Sequence, residues 1–217
     1  MRRLHLLVEG ITEKAVADFV LAPYLTSERQ YVTVSVCTTK RPAGGRHHKG
    51  GVSRWSKLSA EITNLLSDSS ITTLSTLFDY YGFPADSPGM QDRPPGSKRM
   101  LVEHVERALR EAVGDERFQP HLVLHELEAW VLAARSELGK YLDSMSLVDK
   151  LDKVVSGAEG PENVDDGPTT SPSHRLLEAC PGYSKAQDGP EALRRAGLAV
   201  VLEQCPHAAA WIESMRA

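Results

Sequence analysis

The sequence is poor in cysteine: Cys37, Cys180 and Cys205 form neither a CxxC pair nor an even framework. That excludes a disulfide scaffold and fits a reducing compartment. No apolar run approaches the roughly 20 residues that a membrane-spanning helix needs. No signal-type apolar region precedes the first charged turn, so a cytoplasmic location away from membranes is expected. A Walker A motif and a Gly-x-Gly-x-x-Gly turn are both missing, so the chain has no recognisable nucleotide engine. His47, His48, His121 and His125 fit no standard zinc spacing. Nor does one sign of charge dominate: 25 Lys and Arg stand against 29 Asp and Glu, a formal net charge of −4. Such a balance argues against a simple nucleic-acid coat while allowing a local basic groove.

What is present is ordinary for a globular protein: 217 residues, 41% hydrophobic and 25% charged, enough for one large domain or a compact domain with an appendage. The chain opens with an apolar run, Leu4, Leu6, Leu7 and Val8, closed by Glu9-Gly10. This reads as a buried strand turning into a helix, with Thr12 as its N-cap and Ala15, Val16, Phe19 and Val20 facing inward. Ala22-Pro23 should tighten the path, and Leu25 closes the segment. Residues 31–37 (YVTVSVC) and 71–78 (ITTLSTLF) read as strands, the latter ending in Asp79. Helical spacing marks residues 55–66 and 98–113. In residues 121–133 (HLVLHELEAWVLA) a fourth strand should give way to a helix near Glu126.

Alternation of this kind predicts an α/β fold with a mainly parallel four-stranded sheet flanked by helices. It should occupy about residues 1–135, with residues 136–217 as a helical C-terminal extension packed on the same core. In that extension, helices are expected over residues 144–155, 174–179 and 190–211.

Three strands are then followed by acids: Glu9, Asp79, and Glu126 with Glu128. In parallel sheets the strand carboxyl ends face a ligand crevice. Glu13, one helical turn after Glu9, should point back to the same edge. Taken singly, each acid has an ordinary explanation as a cap or first-turn residue. The same position filled on three strands favours a site for a hard cation such as Mg²⁺. Lys40, Arg41, Arg46, Lys49 and Arg54 share a glycine-rich stretch after the second strand, suited to tracking nucleic-acid phosphates.

These residues resemble the Toprim domain, a metal-dependent fold shared by topoisomerases, primases and the overcoming-lysogenization-defect (OLD) nucleases. LLVEGITEK (residues 6–14) is similar to the opening motif of the OLD type, LFDYYG (77–82) falls where Toprim proteins carry Asp-x-Asp, and HELEAW (125–130) falls where the OLD group carries a further acidic element. More closely, the chain resembles a bacterial Toprim-like family of unknown function with VEG-x-TE, DYYG, HE-x-EA, DGP-x-T-x-PS and PGY-x-K segments, the last two at residues 166–173 and 181–185.

The resemblance implies a Mg²⁺- or Mn²⁺-dependent nuclease, DNA being favoured over RNA by analogy, an ABC-type ATPase as partner, and a place in phage defence. It implies that Glu9, Asp79 and Glu126 or Glu128 hold metal, that Glu13 orients or deprotonates water, and that Lys185 stabilises the transition state. Tyr81 stands where the second Asp of Asp-x-Asp is expected. That departure supports a rival expectation: a non-catalytic or partner-activated module that binds metal or nucleic acid.

Overall fold

A computed structural model of the chain describes residues 1–37, 54–164, 167 and 169–216. The fold is mixed α/β with a helical C-terminal region. Contacts divide it into two compact units, Met1–Lys14 with Thr26–Leu122, and Ala15–Leu25 with Val123–Ala217.

The first unit is built on a parallel sheet. Strands β1 (Arg2–Val8), β2 (Gln30–Val36), β3 (Thr73–Asp79) and β4 (Phe118–Gln119) lie in the order β2-β1-β3-β4, and a short β5 (Leu122–Val123) pairs with β3. β1 is central, with Val8 level with Val36 on one side and Leu77 on the other. Its residues Leu4 to Val8 are buried, as a strand covered on both faces requires. The helices of this unit are α3 (Trp55–Leu66) and α4 (Lys98–Val113). Helix α4 starts at the Ser97 cap, whose hydroxyl accepts from the Met100 N–H, and ends at Gly114 with φ 67°. The fourth strand expected within residues 121–133 is the short β5, and β4 is an additional strand before Pro120, which supplies no N–H for a ladder.

The first helix departs from its expected form. Helix α1 (Ile11–Val16) begins one residue before Thr12, with the Gly10 carbonyl accepting from Lys14, so Thr12 is not the cap. It runs into a π-helical turn, Ala17–Leu21, and then α2 (Ala22–Leu25). Pro23 has no N–H to give, and its ring crowds the carbonyl of residue 19. The widened turn, in which the Ala22 N–H reaches the Ala17 carbonyl, carries the helix past Pro23 instead of ending it. The extra residue shifts the inward face to Val16, Ala17, Val20 and Leu21 and leaves Phe19 63% exposed.

The second unit is helical: α5 (Glu128–Ala133), α6 (Arg135–Tyr141), α7 (Met145–Gly157), α8 (Pro172–Ala179), α9 (Asp188–Ala196), α10 (Leu198–Gln204) and α11 (Pro206–Arg216). The single helix expected over residues 190–211 is three, broken at Gly197 (φ 76°) and Pro206. Its core includes Trp130 and Trp211, with ring centroids 6.1 Å apart. The Glu162 carboxylate accepts from the His207 and Ala208 N–H groups at 2.9 and 3.1 Å, which satisfies the first turn of α11.

Candidate metal centre

In the first unit the ends of β1 and β3 bring Glu9 and Asp79 together. The Glu9 carboxylate accepts from the Asp79 N–H at 3.3 Å. Glu13 folds back over the intervening turn: a Cβ on Gly10 would stand 3.0 Å from its Oε2, so glycine makes room for the carboxylate. Burial, then the charge of Glu13, pushes the Glu9 carboxyl up to about 7, against a smaller opposing effect of the Asp79 N–H. Just beyond β2, the Cys37 thiol donates to Glu61 Oε2 at 3.0 Å. It is pushed up to about 12 by burial first, then by Glu61 and Glu9. Cys37 and Glu61 carry no motif signal, because only the fold places α3 beside the end of β2.

Also in this unit, buried His121 has its Nδ1 3.4 Å from Glu106 Oε1. The same Glu106 oxygen accepts from the Leu122 N–H at 2.8 Å. Arg54, the described member of the basic stretch, is exposed just before α3. Lys40, Arg41, Arg46 and Lys49 lie outside the described residues, as do Asp165 and Asp166.

In the second unit three separate segments converge. His125 holds a left-handed backbone (φ 66°), uncommon for a side-chain-bearing residue, and its Nε2 meets the Glu162 carbonyl at 3.1 Å. The chain turns there into Glu126, which precedes α5, and Glu128, the first residue of the helix. Both are buried. Glu126 Oε2 accepts from the Ser173 N–H at 3.0 Å, in the first turn of α8, where backbone donors and the helix dipole favour an anion. Ser171 is the cap of that helix, accepting from the His174 N–H; Ser173 contributes its backbone instead. Lys185 Nζ lies 3.7 Å from Glu126 and 3.3 Å from Glu128. Burial raises the Glu128 carboxyl, and Lys185 opposes that shift.

The residues after Lys185 complete this cluster. Asp188 is buried at the start of α9 and accepts from the Ser184 N–H at 2.7 Å. Tyr183 is buried as well, and its hydroxyl has no hydrogen-bond partner among the described residues.

A family model described as Domain of unknown function (DUF4276) matches residues 8–216. The chain belongs to that family. No curated protein matches the sequence. Among solved structures, the C-terminal region of the Burkholderia pseudomallei OLD protein aligns with 99% of this DUF4276 chain and 98% of its own, at 17% identity and a TM-score of 0.43.

In this DUF4276 chain both clusters are built of side-chain carboxylates. The donors are oxygens, the kind hard cations prefer. Glu9 and Glu13 repel each other, and the charges of Glu128 and Glu126 act on the buried Tyr183 hydroxyl. Among the described residues, no helix is long and apolar enough to cross a membrane.

Proposed function

We propose that the protein is a Mg²⁺- or Mn²⁺-dependent nuclease on a Toprim-like frame, cleaving nucleic-acid phosphodiesters. One observation carries this reading: Glu9 and Asp79 meet at the ends of adjacent parallel strands, with Glu13 of α1 near enough that it and burial hold the Glu9 carboxyl up to about 7. A fold tolerates such repulsion where a cation relieves it.

In this reading Glu9 and Asp79 would hold a metal in the first unit, and Glu126 and Glu128 would hold one in the second. The bound ion supplies Lewis acidity and charge neutralisation at the phosphate. Glu13 orients the attacking water and takes its proton. Lys185 donates to a non-bridging phosphate oxygen, a role open to it because its side chain is 44% exposed. Lys40, Arg41, Arg46, Lys49 and Arg54 track the backbone phosphates. DNA as substrate, an ABC-type ATPase as partner, a cytoplasmic location and a place in phage defence extend the reading by analogy with Toprim proteins.

The test is cleavage of supercoiled plasmid and of structured RNA with Mn²⁺, comparing wild type with Asp79→Ala. Cleavage lost in the variant supports the reading, and equal cleavage by both overturns it.

One observation favours a second reading. Tyr81, where a second acid is expected, is 52% exposed. A centre without that acid suits a module that binds metal or nucleic acid and cleaves only when a partner docks. Cleavage that requires added ATPase would select this reading over the first.

A further inference from the structure

Buried phenol hydroxyls are nearly always hydrogen-bonded, and an unsatisfied one carries a desolvation penalty. Tyr183 departs from that rule: it is 6% exposed, and its hydroxyl has no partner among the described residues. The ring is not misplaced by loose packing. Its hydroxyl presses on the first turn of α9, where a Cβ on Gly189 would stand 2.7 Å away, so glycine is what admits it.

Burial first, then the charges of Glu128, Asp188 and Glu126, raise the phenol's pKa and hold it protonated. The neighbouring acids have partners of their own: Ser173 N–H for Glu126, Ser184 N–H for Asp188, and Lys185 for Glu128.

We propose that the Tyr183 hydroxyl is kept for a ligand, as the hydrogen-bond partner of the hydration shell of a divalent cation carried by Glu126 and Glu128. This deepens the metal reading above and rests on it. A cation is the fitting class, because two buried carboxylates repel an anion. Lys185 supplies positive charge to both acids from a side chain exposed enough to swing away. A neutral phenol both donates and accepts, which suits water, and hard cations such as Mg²⁺ keep several waters when bound.

The distinguishing consequence concerns the metal-free protein. A hydroxyl that serves the fold lowers stability when removed; one kept for a ligand does not. The experiment is thermal melting of wild type, Tyr183→Phe and Glu128→Gln, without metal and across a Mn²⁺ titration.

The expected result has three parts. Metal-free Tyr183→Phe melts at the wild-type temperature or about 2–4 °C above it. Its apparent Mn²⁺ affinity falls about fivefold to tenfold, the worth of one hydrogen bond. Glu128→Gln loses most of the Mn²⁺-induced shift.

A metal-free Tyr183→Phe that melts several degrees lower makes the hydroxyl structural and overturns the inference. So does a full Mn²⁺ response in Tyr183→Phe while Glu128→Gln loses its own, and in that case the metal reading stands. A wild type that shows no Mn²⁺ shift overturns the metal reading and this inference with it.

Discussion

The Glu9 carboxylate accepts a hydrogen bond from the Asp79 backbone N–H at 3.3 Å, which ties the end of β1 to the end of β3, side chain to main chain. One N–H does not compensate for burial beside Glu13, and the Glu9 carboxyl stays protonated up to about pH 7. Its ordinary value is 4.5, so the folded state binds this proton more tightly than the unfolded state does. The contribution to stability is complete below about pH 4.5 and is lost as pH rises through about 7.

A first prediction follows from that sign. Between pH 4.5 and 8, Glu9 alone lowers stability by on the order of 3 kcal/mol, from the linkage of about 1.4 kcal/mol per pKa unit. Glu9→Gln removes the slope and is more stable than wild type at pH 8. Millimolar Mn²⁺ reduces the wild-type slope too, because the ion offsets the charge. Urea unfolding at pH 5 and pH 8, with and without Mn²⁺, checks all three. An unchanged slope in Glu9→Gln would show that Glu9 is not the group responsible.

A second prediction concerns Glu126. Its carboxylate satisfies the buried Ser173 N–H at 3.0 Å. Glu126→Ala leaves that donor unpaired, at a cost of about 1–3 kcal/mol. Glu126→Gln keeps an acceptor oxygen and costs less. The difference between the two in melting temperature reads this hydrogen bond, while both lose whatever metal Glu126 holds. Equal losses of stability in the two variants would sink the assignment.

The sequence was most legible where local signals agreed. Helices α3 and α4 match their expected limits because apolar residues recur at helical spacing between clear start and stop residues, such as Ser97 and Gly114. The parallel pairing of β1 with β2 and β3 followed from the alternation of strands and helices, while their order did not. The placement of Glu9 beside Asp79 was legible for the same reason. Tyr183 was not, since its significance lies in a missing partner. Glu61 and Cys37 meet only through tertiary packing.

Phe19 marks the limit of periodicity, and it supplies a third prediction. Regular spacing put it inside, and one extra residue in the π turn puts it 63% exposed, with Leu21 fully buried. Phe19→Ser is expected within about 0.5 kcal/mol of wild type, as for exposed positions generally. Leu21→Ala costs about 2–5 kcal/mol, as large-to-small core changes do. Chemical denaturation of the pair decides between the two helix registers, because a regular α-helix with Phe19 inside would make the Phe19 substitution the costly one.

Lys185 supplies the last prediction, and it separates binding from chemistry. Its ammonium lies 3.3 Å from Glu128 and 3.7 Å from Glu126 while remaining 44% exposed, so it lowers the negative charge of the pair without being locked to it. A cation entering the pair competes with that ammonium. Lys185→Gln removes the competitor, and Mn²⁺ affinity is expected to rise, by about tenfold for one neighbouring charge at intermediate dielectric. The ammonium is also the group that the nuclease reading assigns to the phosphate, so cleavage by the same variant falls, typically 100-fold or more for loss of such a stabilising donor. Tighter metal with slower cleavage is a combination that a merely structural lysine does not produce. Losing a structural ion pair would lower melting temperature and metal affinity together. Calorimetric Mn²⁺ titration and plasmid cleavage on the same preparation give both readings, and weaker metal binding in Lys185→Gln would remove Lys185 from the mechanism.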